Sequence, residues 1–143
     1  MMSIFDKCLS LRENINDLDD TILEMRSGAY SPSTQVLSFA PSRSNYKNNN
    51  MEVFLVEVEC FEAKRSYLLK ELDKLWIVIE NRARKMSFSE DRIVLLKLRF
   101  YFGLTWAECC KKMQEVFPTI NWNQNLVFKI YRDILNEYYS VYS

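Results

Sequence analysis

Met51, Phe54, Val58 and Phe61, then Leu68, Leu72, Leu75 and Ile79, stand three or four residues apart along one stretch of chain. That spacing gathers every apolar side chain onto one stripe of an α-helix and would scatter the same residues over both faces of a strand. It predicts a helix from Met51 to about Lys85 with an apolar stripe that must be covered. Arg65 falls where an apolar residue is due, and its long stem can lie along the stripe with the head group outside. Leu55, Leu69 and Trp76 widen the stripe beyond what one partner helix covers.

A second seam, Ile4, Cys8, Leu11, Ile15, Leu18, Ile22 and Met25, alternates steps of four and three and predicts a helix from about Ser3 to Met25, closed by Ser27-Gly28. Its other face carries Arg12, Glu13, Asp17, Asp20 and Glu24, as a solvated face should. Between the two helices, residues 27–50 are rich in Ser, Asn and Pro and have no helical period, so they read as a long connecting loop. A short strand at Gln35–Phe39 would have no partner. Residues 1–86 thus form a helical hairpin, with a second copy of the chain or the C-terminal part as further cover for the wide stripe. Two glycines and three prolines in 143 residues leave too few turns for a barrel or sandwich, and the expected class is all-α.

Residues 87–143 read as a separate three-helix unit. Ser87 and Glu90 have capping-box spacing, and a helix through Ile93, Leu96 and Phe100 ends at Gly103. Thr105 and Glu108 form a second capping box for a short helix, Trp106 to about Val116, whose buried face is Trp106, Cys110 and Met113. Pro118 ends it. Asn121 or Asn123 then caps a last helix that buries Leu126, Ile130, Ile134 and Tyr138. Trp76, Trp122 and the Tyr138-Tyr139 pair are expected to be packing anchors.

Helix, turn, helix in this order is a layout used to place one helix against DNA. It would leave Asn123, Gln124, Asn125, Lys129 and Arg132 facing outward, with Lys111 and Lys112 on the preceding helix. Asn and Gln can pair with adenine edges, Lys and Arg with guanine or phosphate. A plain helical subdomain with solvated polar residues has the same periodicity, and pattern alone does not separate the two. Net charge is zero, but unevenly spread: residues 1–60 hold 5 basic and 9 acidic side chains, residues 61–91 hold 7 and 6, and residues 92–143 hold 7 and 4. The positive excess lies where phosphate would be met.

No enzyme is expected. There is no histidine to act as general base, no nucleophile elbow and no glycine-rich phosphate loop. Cys8, Cys60, Cys109 and Cys110 include no CxxC pair, so neither zinc nor any other cofactor is expected, and the thiols read as free, small hydrophobes. No apolar run reaches membrane length and Met1 opens no signal peptide, which predicts a soluble cytoplasmic protein without membrane contact.

The motifs also occur in a familiar order. Pro41-Ser42-Arg43-Ser44 is followed by Asn48 to Asn50 and Met51-Glu52, then Leu95-Leu96-Lys97-Leu98-Arg99-Phe100, then Thr105-Trp106-Ala107-Glu108-Cys109-Cys110, and finally Phe128-Lys129-Ile130. In this the chain resembles the ArpU/RinA-like phage transcriptional regulators, whose C-terminal part is similar to sigma factor region four, and nearly the whole chain is covered. Cys110 stands where that family usually has a small alanine. The family turn is short and usually carries a glycine; here Gln114 to Asn121 is longer and carries Pro118. The resemblance implies a regulator in a bacterial host cell that binds double-stranded DNA as a dimer or higher oligomer, with host RNA polymerase as a further partner. Two other readings fit the helical pattern: a non-enzymatic interaction protein that binds and inhibits a host protein, and a small terminase-like packaging subunit.

Overall fold

The computed structural model describes residues 2–27 and 44–142, and every regular element among them is helical. Helix α1 spans Ile4–Arg26, α2 Ser44–Lys85, α3 Glu90–Leu96, α4 Trp106–Val116 and α5 Gln124–Tyr142, with a π-helical turn over Lys97–Tyr101 continuing α3. The all-α expectation holds. The chain divides into two compact units, one of Glu13–Lys70 and one of Met1–Arg12 with Glu71–Ser143.

In the unit Glu13–Lys70, α1 and α2 run antiparallel. Arg65 of α2 donates to Asp19, while Arg26, further along α1, donates to Glu62, further back on α2. Ile15, Leu18, Met25 and Val58 are buried, as the two seams require. Arg65 keeps its place in the stripe by the expected device, a half-buried stem with its head group on a carboxylate. Both ion pairs remain more than a third exposed and contribute about 0–1 kcal/mol each. The apolar row, at about 1.5–3 kcal/mol for each fully buried side chain, is what holds the pair together.

Helix α2 begins at Ser44, earlier than the expected Met51. Once Met51 onward is helical, extension backwards needs no new nucleus, so even a Ser/Asn-rich flank follows. The middle of the expected loop, including Gln35–Phe39, lies outside the described residues.

In the other unit the core centres on Phe5, a residue outside the seam read from α1. Its ring lies 4.6 Å from Phe100 and 4.8 Å from Tyr138, centroid to centroid. Cys8, Leu72, Trp76, Ile79, Leu95, Leu96, Met113 and Ile134 complete the interior. Arg82 donates to the Tyr138 hydroxyl at 2.8 Å, which satisfies the one polar atom of that buried ring. Ser3 caps α1 by accepting the Asp6 N–H at 3.1 Å.

Three local expectations are corrected. Ser87 does not cap α3: it sits at φ 62°, where it closes α2, with Ser87 N–H donating to the Arg84 carbonyl and Phe88 N–H to that of Ala83. This is a Schellman closure, and α3 begins instead at Glu90 behind Ser89. On α4 the buried residues are Cys109 and Met113, while Trp106 and Cys110 are half-buried. The Cys109 thiol is fully buried and donates to the Leu104 carbonyl, 3.7 Å away. On α5 it is Val127, with Ile134 and Tyr138, that is fully enclosed, and Leu126 and Ile130 are half-buried. Helix α5 packs on both α3 and α4, so its inner face is wider than one row.

Two consequences can be measured by urea unfolding. Ser87→Gly should stabilise the protein by about 1 kcal/mol, because glycine occupies the left-handed region without the Cβ penalty. Gly103→Ala should destabilise it by about 1–3 kcal/mol. Gly103 has φ +67°, and a Cβ there would collide with the stem of Arg12, whose Nε donates to the Tyr101 carbonyl at 2.7 Å.

Candidate nucleic-acid interface

The start of α4 is set by the capping box expected from the sequence. The Thr105 hydroxyl accepts the Glu108 N–H at 3.3 Å, and the Glu108 carboxylate accepts the Thr105 N–H at 3.2 Å. The longer turn that follows is tied internally. Gln114 Oε1 accepts the Trp122 N–H at 2.9 Å, and Trp122 Nε1 donates to the Phe117 carbonyl at 3.0 Å. Trp122 is buried and serves as the anchor of the turn. Asn123 then caps α5: its Oδ1 accepts the Leu126 N–H at 2.8 Å.

With Val127, Ile134 and Tyr138 turned inward, α5 presents Gln124, Asn125, Phe128, Lys129, Arg132, Asp133 and Asn136 outward, all exposed. Six of these, from Asn125 to Asn136, line one shallow groove. Among the described residues no ion pair involves Lys129 or Arg132. Of the seven residues expected to form the site, Asn125, Lys129 and Arg132 come together on this groove. Gln124 is exposed just before it. Asn123 has its oxygen committed to the cap, which leaves its amide N–H groups to offer. Lys111 and Lys112 are exposed on α4 and do not line the groove, and Lys112 pairs with Glu115 at 3.4 Å.

Phe128, Asp133 and Asn136 were missed from the sequence. Their signal was the four-residue spacing that stacks Phe128 under Arg132, Lys129 under Asp133 and Arg132 under Asn136. Behind the face stands a ladder of rings and cations. The Arg132 guanidinium lies 5.9 Å from the Phe128 centroid, Phe128 meets Trp106 edge-on at 5.7 Å, and Arg99 lies 4.7 Å over Trp106. Arg99 is itself held by donating to the Leu104 carbonyl at 2.8 Å. Such stacking holds a cationic side chain out of the core yet restricts its motion.

No family model matches the chain, and neither a curated protein nor a solved structure matches it. Burial pushes the Cys8 and Cys109 thiols up to about 11, so both stay protonated and unreactive near neutral pH. Among the described residues no group of His, Cys, Asp and Glu could hold a metal ion, and no helix is long and apolar enough to cross a membrane.

Proposed function

We propose that this chain is a non-enzymatic, DNA-binding regulator of the phage type, acting as a dimer or higher oligomer and laying the outer face of α5 against duplex DNA. The observation that carries the reading is the pair Lys129 and Arg132. Both are exposed, neither is in an ion pair among the described residues, and both project from a helix whose other side is core. Asn125 and Asn136 beside them supply the donors and acceptors that a base edge requires. The motif order shared with ArpU/RinA-like regulators supports the same assignment.

The test is fluorescence anisotropy of the full chain with a short generic duplex at two salt concentrations. Binding with a dissociation constant on the order of 10⁻⁴–10⁻⁶ M, weakening as salt rises, is expected even without the specific site. No binding across that range would reject the proposal.

One observation favours a second reading, capture of a protein partner such as host polymerase. Phe128 is 44% exposed beside the Asp133 carboxylate, and Val116 and Ile120 are exposed at the end of α4 and in the turn after it. A protein partner would bind with little salt dependence and would lose affinity on Phe128→Ala.

A further inference from the structure

Helix α2 carries a second heptad row that the first does not use. Val53, Val56, Cys60, Ala63 and Tyr67 step by three and four, as the buried row does, but lie on the other side of the helix and are all exposed. Val53 is 56%, Val56 57% and Tyr67 62% exposed. An outward row at this spacing is the pattern that a second helix covers by knobs-into-holes packing.

The charges beside the row indicate which helix. Glu52, Glu57 and Glu59 flank its first half and Lys64 its second, and Lys70 stands at the next position of the row, all exposed. In a parallel pair of copies, Glu59 would face Lys64 of the other copy but Glu52 would face Glu57, each twice, so attraction and repulsion cancel. In an antiparallel pair centred between Cys60 and Ala63, Glu57 meets Lys64 in both directions, Val56 packs on Tyr67, and Cys60 packs on Ala63. Like charges opposed across a seam destabilise it and opposite charges select its orientation.

We infer that the outward row of α2 is a self-association surface on which a second copy of this chain docks antiparallel through Val56, Cys60, Ala63 and Tyr67, with Glu57–Lys64 pairs on either side of the two-fold axis. This gives the oligomeric part of the proposed function its surface and its orientation. The seam lies within Glu13–Lys70 and its tests use no DNA, so its failure and that of the DNA reading are told apart.

The full chain should sediment at twice its 17.1 kDa in a concentration-dependent way. Lys64→Glu should weaken pairing by about tenfold or more, since it turns two attractions into repulsions, and adding Glu57→Lys should restore it. In a Cys110→Ser background, a short-armed bismaleimide should join two copies at Cys60. With the only exposed thiol moved to position 53 (Val53→Cys with Cys60→Ser), it should not, because antiparallel copies hold those positions about 25 Å apart along the axis. A monomer at every concentration, a dimer indifferent to Lys64→Glu, or cross-linking at position 53 would each overturn the inference.

Discussion

Replacing Lys129 and Arg132 together by alanine should lower DNA affinity roughly 10- to 100-fold at about 0.1 M salt and reduce the slope of log K against log salt by about 1.8. Each cation that meets a phosphate releases condensed counterions, at about 0.9 per contact on a duplex, so two lost contacts flatten the slope by a countable amount. The fold should be untouched. Both side chains are exposed and in no ion pair among the described residues, and surface changes of this kind stay within about 0.5 kcal/mol. Lys112→Ala should do less, because Glu115 already neutralises that ammonium in part. Anisotropy titrations at three salt concentrations measure both quantities. An unchanged slope would remove α5 from the interface and favour the protein-partner reading.

Phe5→Ala should cost about 3–5 kcal/mol and lower Tm by roughly 10–20 °C. The ring is 2% exposed and wedged among Phe100, Tyr138 and Tyr139, with centroids at 4.6, 4.8 and 6.0 Å. Its removal forfeits both the burial and three aromatic contacts, in a cluster too stiff to collapse into the gap. Leu23→Ala, on the same helix but 67% exposed, should cost under about 0.5 kcal/mol. Thermal and urea unfolding of the two variants side by side check this. Equal costs would mean that the start of α1 is not part of the core.

That contrast marks where periodicity stops being informative. The seam Cys8, Ile15, Leu18 and Met25 was legible because a helix repeats its inward face every three or four residues. Phe5 was not, because it faces a different set of partners near the start of the same helix. Val127 and Cys109 were missed for the same reason: α5 and α4 each touch two neighbours, and a one-row reading places the inner face one residue off. The cap at Thr105 was legible, and that of α5 was narrowed to Asn121 or Asn123, since the hydrogen bonds that make them are local. Ser87 misled because its spacing to Glu90 imitates a cap, whereas the preceding helix uses it as a terminus. At the candidate site the cations Lys129 and Arg132 could be named from their places on the helix. The ladder of Arg99, Trp106, Phe128 and Arg132 could not, because it crosses two helices and the segment before them.

What the chain's order of residues determined alone is the all-helical class, most helix ends and the identity of the outward cations, because each depends on neighbours within a turn or two. The row from Met51 to Phe61 was read as covered from the sequence, but only the tertiary structure decided that the second row of α2, Val53 to Tyr67, is left outside the molecule. Both rows have the same spacing, and burial is settled by what packs against a surface, not by the pattern on it.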